Sequence, residues 1–192
     1  MVKNRKTFFI KLNNEKKLLE SNLEDCVEVS AGGLILYRIK NNELQLLLAY
    51  NREKNEDLGG TAEDKDIDIY HTIAREANEE SNRLINEKSV LERIKNAEYI
   101  ISKTSKYMLF IIPANEDEAK LKSKDFGDKE IHDDFSRTIS WVPVSEFLNS
   151  ETIKNKLNFR LKNKKIFDYL KKLDPNTGKT TDKPTDKPTY LF

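Results

Sequence analysis

Three glutamates, Glu76, Glu79 and Glu80, follow Arg75 in the run REANEE, and their spacing suits chemistry better than any other feature of the chain. On a helix over 68–82 at roughly 100° per residue, with Ile69 as origin, Ile73 falls at about +40° and Ala77 at about +80°. These three define an inward apolar stripe. Glu76 falls at about −20° and Glu80 at about +20°, in line with that stripe, and Glu79 at about −80°, on its flank. His71, Asn78 and Asn82 take the opposite side, expected to face water. A glutamate pair on a helix is ordinarily a solvated face. Here the acids lie where burial is expected, and a buried carboxylate is costly unless paired or metal-bound. Side chains at i, i+3 and i+4 converge on one patch. Such a patch asks for a divalent cation, and an all-oxygen donor set favours Mg²⁺ or Mn²⁺ over zinc.

The elements that must position this helix are legible in outline. Residues 27–39 read as a strand interrupted by Gly32-Gly33, a sign of a bulge or a close backbone approach. Asn41-Asn42 marks a turn, and 44–50 (LQLLLAY) reads as a central strand. Residues 51–67 read as a polar loop containing Gly59-Gly60. Asp68 is the expected N-cap of the acidic helix. Strands follow at 97–102 and 107–113, joined by a turn from Lys103 to Lys106, and then a long acidic loop over 114–135. A strand over 137–144 carries Trp141, and Ser145 is expected to cap a short helix through Phe147 and Leu148. Residues 154–172 read as one basic amphipathic helix with Leu157, Leu161, Phe167 and Leu170 inward. Strands early, with helices between and after them, predict an α/β fold: a mixed sheet covered by helices. Residues 1–24 form an N-terminal extension, either a strand or a helical arm; 25–172 form the domain; 173–192, with its Thr-Asp-Lys-Pro repeat, reads as a disordered tail or linker.

Composition narrows the class. The chain has 192 residues, 37% hydrophobic and 35% charged, with a formal net charge of +1. Global charge therefore argues neither for nucleic acid nor for a membrane; only local clustering can. Cys26 is the single cysteine, which excludes an intrachain disulfide. No apolar run approaches the roughly 20 residues needed to cross a bilayer. The expectation is a cytoplasmic protein with no membrane partner.

Residues 59–82, GGTAEDKDIDIYHTIAREANEESN, resemble the Nudix box. Its pattern is Gly, five residues, Glu, seven residues, then Arg-Glu-apolar-x-Glu-Glu-x-Gly-apolar. Arg75, Glu76, Ala77, Glu79 and Glu80 match the second half. In the first half the register slips by one: counting back from Arg75 puts Ile67 where the glutamate belongs, while counting forward from Gly60 reaches Asp66. Asp66 or Asp68 can stand in for it. Asn82 replaces the final glycine, and asparagine tolerates a left-handed helix end. The resemblance spans 27–172. Asp57-Leu58-Gly59-Gly60 and the asparagine after the acidic pair are similar to viral members of the family.

The resemblance implies a Nudix-like α/β/α sandwich with a mixed β-sheet. It implies a metal-dependent hydrolase that cleaves the pyrophosphate bond of a nucleoside diphosphate linked to another moiety: a nucleotide sugar, ADP-ribose, a dinucleoside polyphosphate or capped RNA. Glu76, Glu79 and Glu80 would hold Mg²⁺ or Mn²⁺, and Arg75 would orient a glutamate. Gly59, Gly60 and Arg52 are assigned to substrate binding. A further carboxylate from the 114–135 loop would act as base or ligand. Glu116, Asp117, Glu118, Asp125, Asp128, Glu130, Asp133 and Asp134 are available, and Glu130 is favoured because it precedes the Trp141 strand. His132 reads as a surface residue, and Trp141 and Tyr99 as core. The basic stretch 154–172 offers a surface for RNA phosphates; its other reading is a core helix with snorkelling lysines. The alternative function is a non-catalytic nucleotide- or protein-binding module on the same scaffold.

Overall fold

The computed structural model describes residues 6–11, 26–130, 136–149, 155–176 and 190–191. The strands are β1 (Phe8–Lys11), β2 (Cys26–Val29), β3 (Ala31–Lys40), β4 (Glu43–Asn51), β5 (Lys54–Glu56), β6 (Leu58–Thr61), β7 (Tyr99–Ser102), β8 (Tyr107–Pro113), β9 (Thr138–Pro143) and β10 (Tyr190–Leu191). The α-helices are α1 (Ile69–Glu80), α2 (Glu87–Ile94), α3 (Val144–Asn149) and α4 (Lys164–Leu173). β1 pairs antiparallel with β2. The remaining eight strands form one mixed, mostly antiparallel sheet.

β3 is the axis of that sheet. β8 runs parallel along one side of it, Ala31 opposite Tyr107. On the other side β4 pairs antiparallel with β3 from Leu36 to Lys40, and β6 takes over from Leu34 to Ala31. β4 swings away to pair with β9 and β5. This fork lets β6 lay Gly59 and Gly60 against β3 just below α1.

Both faces of the sheet are buried. Leu34 and Leu36 of β3, Leu47 of β4, and Met108 and Phe110 of β8 face α1 and α2. Their neighbours Ile35, Leu46, Leu48, Leu109 and Ile111 face the other way, onto Leu157, Leu161, Ile166 and Leu170. Period-two alternation in β3, β4 and β8 thus builds two cores, one on each side. α1 seats Ile69, Ile73 and Ala77 in the first, all fully buried. Asp68 caps it, its side chain accepting from the His71 N–H at 2.9 Å. Beyond it the chain turns through left-handed Asn82 (φ 54°) and Arg83 (φ 67°). Among the described residues no helix is long and apolar enough to cross a membrane.

Several expectations are corrected. Residues 51–67 are not a loop throughout: they hold β5 and β6, joined to their neighbours by backbone pairing that a polar sequence does not advertise. Arg52 (φ 46°) and Glu53 (φ 65°) form the left-handed two-residue turn between β4 and β5. α2 occupies a stretch for which the sequence offered no element; it is capped by Asn86, which accepts from Ser89 N. Ser145 lies inside α3, whose first residue is Val144, and its hydroxyl donates to Glu43 at 3.3 Å. The stretch 154–172 is not one helix. Leu157 bridges Asn55, Phe159–Leu161 is a 3₁₀ turn, and only Lys164 onward is α-helical. Asn158 and Asn163 break it, their side chains accepting from the Arg160 and Lys165 N–H groups. The 1–24 extension contributes a strand over Phe8–Lys11; its residues 1–5 and 12–24, and residues 177–189 and 192 of the tail, lie outside the described residues.

Candidate active site

Arg75 is the hub of the helix. It is 7% exposed. Its Nε donates to Asp66 Oδ1 at 2.9 Å, and its Nη2 to Asp66 Oδ2 at 3.0 Å and to the Thr61 carbonyl at 3.1 Å. Its Nη1 reaches Glu79 Oε2 at 2.9 Å and Glu76 Oε1 at 2.8 Å. Asp66 also accepts from the Glu63 N–H and the Thr72 hydroxyl, each at 2.9 Å. Burial opposes the charged form of Asp66. The hydrogen bonds from Arg75, Glu63 and Thr72 outweigh it and hold the carboxyl below its usual range. Asp66 takes the arginine, Asp68 caps the helix, and Ile67 points outward, 74% exposed.

Glu76 and Glu80 lie along the inward edge of α1, beside the Gly59-Gly60 strand. Glu80 Oε2 accepts from the Gly59 N–H at 3.1 Å. A Cβ on Gly60 would stand 2.5 Å from the Glu76 carboxyl, and one on Gly59 would stand 2.5 Å from the Gly32 carbonyl. The two glycines let β6 approach both the carboxylates and β3. Burial pushes the Glu76 carboxyl up to about 7; Arg75 works against that rise, and Glu79 and Glu130 add to it. Burial, reinforced by Glu76, Asp57 and Glu130, pushes Glu80 well above the carboxylate range. Glu79, 23% exposed, is shared between Arg75 and Lys65.

The cluster extends through residues distant in sequence. Glu130 is half-buried and close enough to raise both Glu76 and Glu80. Asn82, expected on a wet face, instead donates to the Phe126 carbonyl at 2.6 Å and the Lys129 carbonyl at 2.8 Å, tying down the segment that carries Glu130. Asn78 likewise points to structure, donating to the Ile85 carbonyl at 2.8 Å. Behind Glu80, Asp57 is 1% exposed and accepts a short hydrogen bond from the Tyr107 hydroxyl. Arg160 Nη2 lies 3.4 Å from Asp57 Oδ1, and its guanidinium stacks 4.5 Å from the Tyr107 ring centre. Arg137 is 5% exposed, within the field of Glu80 and Glu130; burial pushes its pKa down, and the two carboxylates oppose this.

Of the residues expected from sequence, Arg75, Glu76, Glu79, Glu80, Gly59, Gly60 and Glu130 come together. Arg52 lies in the exposed β4–β5 turn. In the acidic loop, Glu118 is buried and paired with Arg93, at 2.7 and 2.9 Å, which makes it structural. Asp125 caps the Lys122 N–H, and Asp117 pairs with Lys120 on the surface. His132, Asp133 and Asp134 lie outside the described residues. Trp141 packs against the first core and donates to the Leu121 carbonyl at 3.0 Å, and Tyr99 packs on Phe110. Sequence reasoning gave no site role to Asp57, Tyr107, Arg137 or Arg160. The one available signal was an acid, Asp57, directly before an apolar-Gly-Gly strand.

The donor set suits a hard divalent cation in kind. Glu80 is half-buried with no ion pair among the described residues, and Asp57, Glu76 and Glu130 add negative charge around it. Among the described residues, no three His, Cys, Asp or Glu side chains already converge as a metal-binding group. Arg75 holds an oxygen of Glu76 and one of Glu79, so a cation would have to draw Glu76 toward Glu80. No protein-family model matches the chain, and neither a curated protein nor a solved structure does.

Two outcomes follow from these geometries. Glu76 has a folded pKa above its unfolded one. Its stabilising contribution is therefore complete below about pH 4.5 and lost as pH rises through about 7. The shift corresponds to about 3 kcal/mol. In metal-free buffer, Glu76→Gln should gain on the parent by about that much between pH 4.5 and pH 8 in urea unfolding; parallel stability curves would remove Glu76 from the buried cluster. The second concerns Arg160. Arg160→Leu strands Asp57 in the interior and should cost about 3–5 kcal/mol. Adding Asp57→Asn to that variant should restore much of the loss, as a double-mutant cycle would show.

Proposed function

We propose that this protein is a metal-dependent hydrolase of the Nudix type, acting in the cytoplasm on the pyrophosphate bond of a nucleoside diphosphate linked to a second group. The observation that carries the reading is the set of half-buried carboxylates Glu76 and Glu80, set against a glycine pair with Glu130 beside them, where burial and then crowding raise the pKa of both. The mixed sheet between helices, with α1 packed over β3 and β6, is the scaffold expected of that family.

A Mg²⁺ or Mn²⁺ ion bound here would neutralise phosphate charge and lower the pKa of a bound water. The protein's own contribution is positional. Glu76 and Glu80 are the ligands of choice. Glu79, held by Arg75 and Lys65, stands as a reserve ligand on the rim. Glu130 is the candidate to accept the proton of the attacking water, a role supported by its electrostatic effect on Glu76 and Glu80. Asp66 fixes Arg75, and Arg75 fixes the rotamers of Glu76 and Glu79.

The alternative, a binding module without turnover, is favoured by one observation: among the described residues, three carboxylates are not already gathered around a common point. The test is direct. The protein is incubated with Mg²⁺ or Mn²⁺ and with ADP-ribose, a nucleotide sugar, a dinucleoside polyphosphate and capped RNA, and the nucleoside monophosphate or diphosphate products are resolved by chromatography. Turnover of at least one substrate, dependent on metal, is expected; binding without turnover would favour the module. An RNA substrate would engage Lys162, Lys164, Lys165, Lys171 and Lys172, since Arg160 is turned inward, and its binding would weaken steeply with salt.

A further inference from the structure

We propose that Arg137 is a phosphate receptor beside the acidic cluster of Glu76, Glu80 and Glu130, donating from its guanidinium to a bound diphosphate. The inference deepens the proposed function by assigning the anion half of the site to a named residue.

Arg137 leads into β9, and its backbone N–H donates to the Asp128 carbonyl at 2.8 Å. Its side chain makes one weak hydrogen bond, from Nη2 to the Lys129 carbonyl at 3.3 Å. Its Nε and Nη1 are fully buried and have no hydrogen-bond partner among the described residues. No carboxylate among the described residues lies within ion-pair distance of it, although the field of Glu80 and Glu130 reaches it. A buried cation with two empty donors is costly to keep, and more so because the group is charged. The other buried arginine of the cluster shows the contrast. Arg75 has a partner on every nitrogen. Arg137 has the burial without the partners.

A diphosphate supplies what is missing. Its oxygens are acceptors only, they are anionic, and they match the planar spread of guanidinium donors. Location selects a phosphate chain over a lone carboxylate. The neighbouring Glu76, Glu80 and Glu130 would repel a lone anion; a divalent cation held by those carboxylates would offset that charge, and a phosphate chain would have further oxygens to offer to Arg137. The proposed site then reads as two halves: carboxylates on α1 for the cation side, Arg137 for the phosphate beyond.

The test is titration calorimetry of the full chain with inorganic pyrophosphate in the presence of Mn²⁺. The parent should bind. Arg137→Gln should weaken binding by about 10–100-fold, the range for a hydrogen bond to a charged group. Arg137→Lys keeps the charge without the planar donors and should fall between; it also serves if the glutamine variant does not fold. Pyrophosphate affinity equal to the parent's in either folded variant would overturn the assignment, as would a parent that binds no pyrophosphate. With a turned-over substrate, Arg137→Gln should raise KM more than it lowers kcat, whereas a merely structural residue would shift neither selectively. A parent that hydrolyses nothing, beside a variant that loses pyrophosphate, would sink the hydrolase reading and keep the receptor. A parent that hydrolyses, beside a variant with unchanged KM, would do the reverse.

Discussion

Glu80→Gln should lower metal-dependent turnover by on the order of 100–1,000-fold, the usual cost of removing a charged group that acts on the transition state. It should also leave the metal-free protein more stable than the parent at neutral pH. The two effects share one cause. Burial, Glu76, Asp57 and Glu130 all resist a charge on Glu80, and a single hydrogen bond from the Gly59 N–H supports it. Glutamine keeps an oxygen for that N–H and removes the charge. A carboxylate whose charge burial and three neighbouring acids oppose is the pattern that marks a candidate site. Glu79→Gln is the internal comparison: Glu79 is part-exposed and already compensated by Arg75 and Lys65, so its loss should cost less turnover and give no gain in stability. The measurement is initial rate with the best substrate of the panel, together with thermal unfolding in chelator. Turnover equal to the parent's would remove Glu80 from the reaction; lost turnover without any stability gain would mean that another cation already compensates it.

The local part of this site could be read from sequence because it is periodic. Ile69, Ile73 and Ala77 fall on the buried stripe, Glu76 and Glu80 continue it, and Arg75 reaches Glu79 one turn on. The cap at Asp68 and the left-handed exit at Asn82 follow from what short polar side chains do at helix ends. The strands around Leu34, Leu47 and Phe110 were legible because runs of apolar residues at that length have few other uses. What failed to show was non-local or carried by the backbone. β5 and β6 are polar or glycine-rich, and their strand character exists only in their pairing with β4 and β3. Tyr107 meets Asp57 across 50 positions of sequence, a distance at which no periodicity speaks.

The C-terminal stretch failed for a different reason. Leu157, Leu161 and Leu170 do face one core, as helical spacing suggested. Asn158 and Asn163 break the backbone between them, so the same apolar pattern is met by a bridge, a 3₁₀ turn and a shorter helix. That rearrangement has a consequence for charge. It turns Arg160 from a surface cation into the counter-ion of a buried aspartate, directly behind Glu80. The basic face that remains for an anionic polymer is correspondingly smaller and confined to lysines.

Asp66→Ala and Asp68→Ala should separate by several kcal/mol, although the two aspartates are two residues apart and both touch the start of α1. Asp66 is 3% exposed and closes four contacts: two with Arg75, one with the Glu63 N–H and one with the Thr72 hydroxyl. Removing it leaves a buried guanidinium short of its main partner, a loss of about 3–5 kcal/mol. Asp68 is a helix cap with a part-exposed histidine beside it. Its loss should cost about 1 kcal/mol, as caps do. The pH dependence has a definite sign. Asp66 has a folded pKa below its ordinary 3.8, so its contribution is present above that value and lost as pH falls through the folded one. The gap between Asp66→Ala and the parent should therefore be full at neutral pH and shrink in strong acid. Denaturant unfolding at pH 7 and at low pH checks both statements. Activity adds a second reading: Arg75 without Asp66 no longer fixes Glu76 and Glu79, so turnover should fall with stability in Asp66→Ala and hold near the parent's in Asp68→Ala. Equal losses in the two variants would mean that the carboxylate–arginine pair does not organise the helix, and that the one-residue shift taken up at exposed Ile67 was not what let Asp66 reach Arg75.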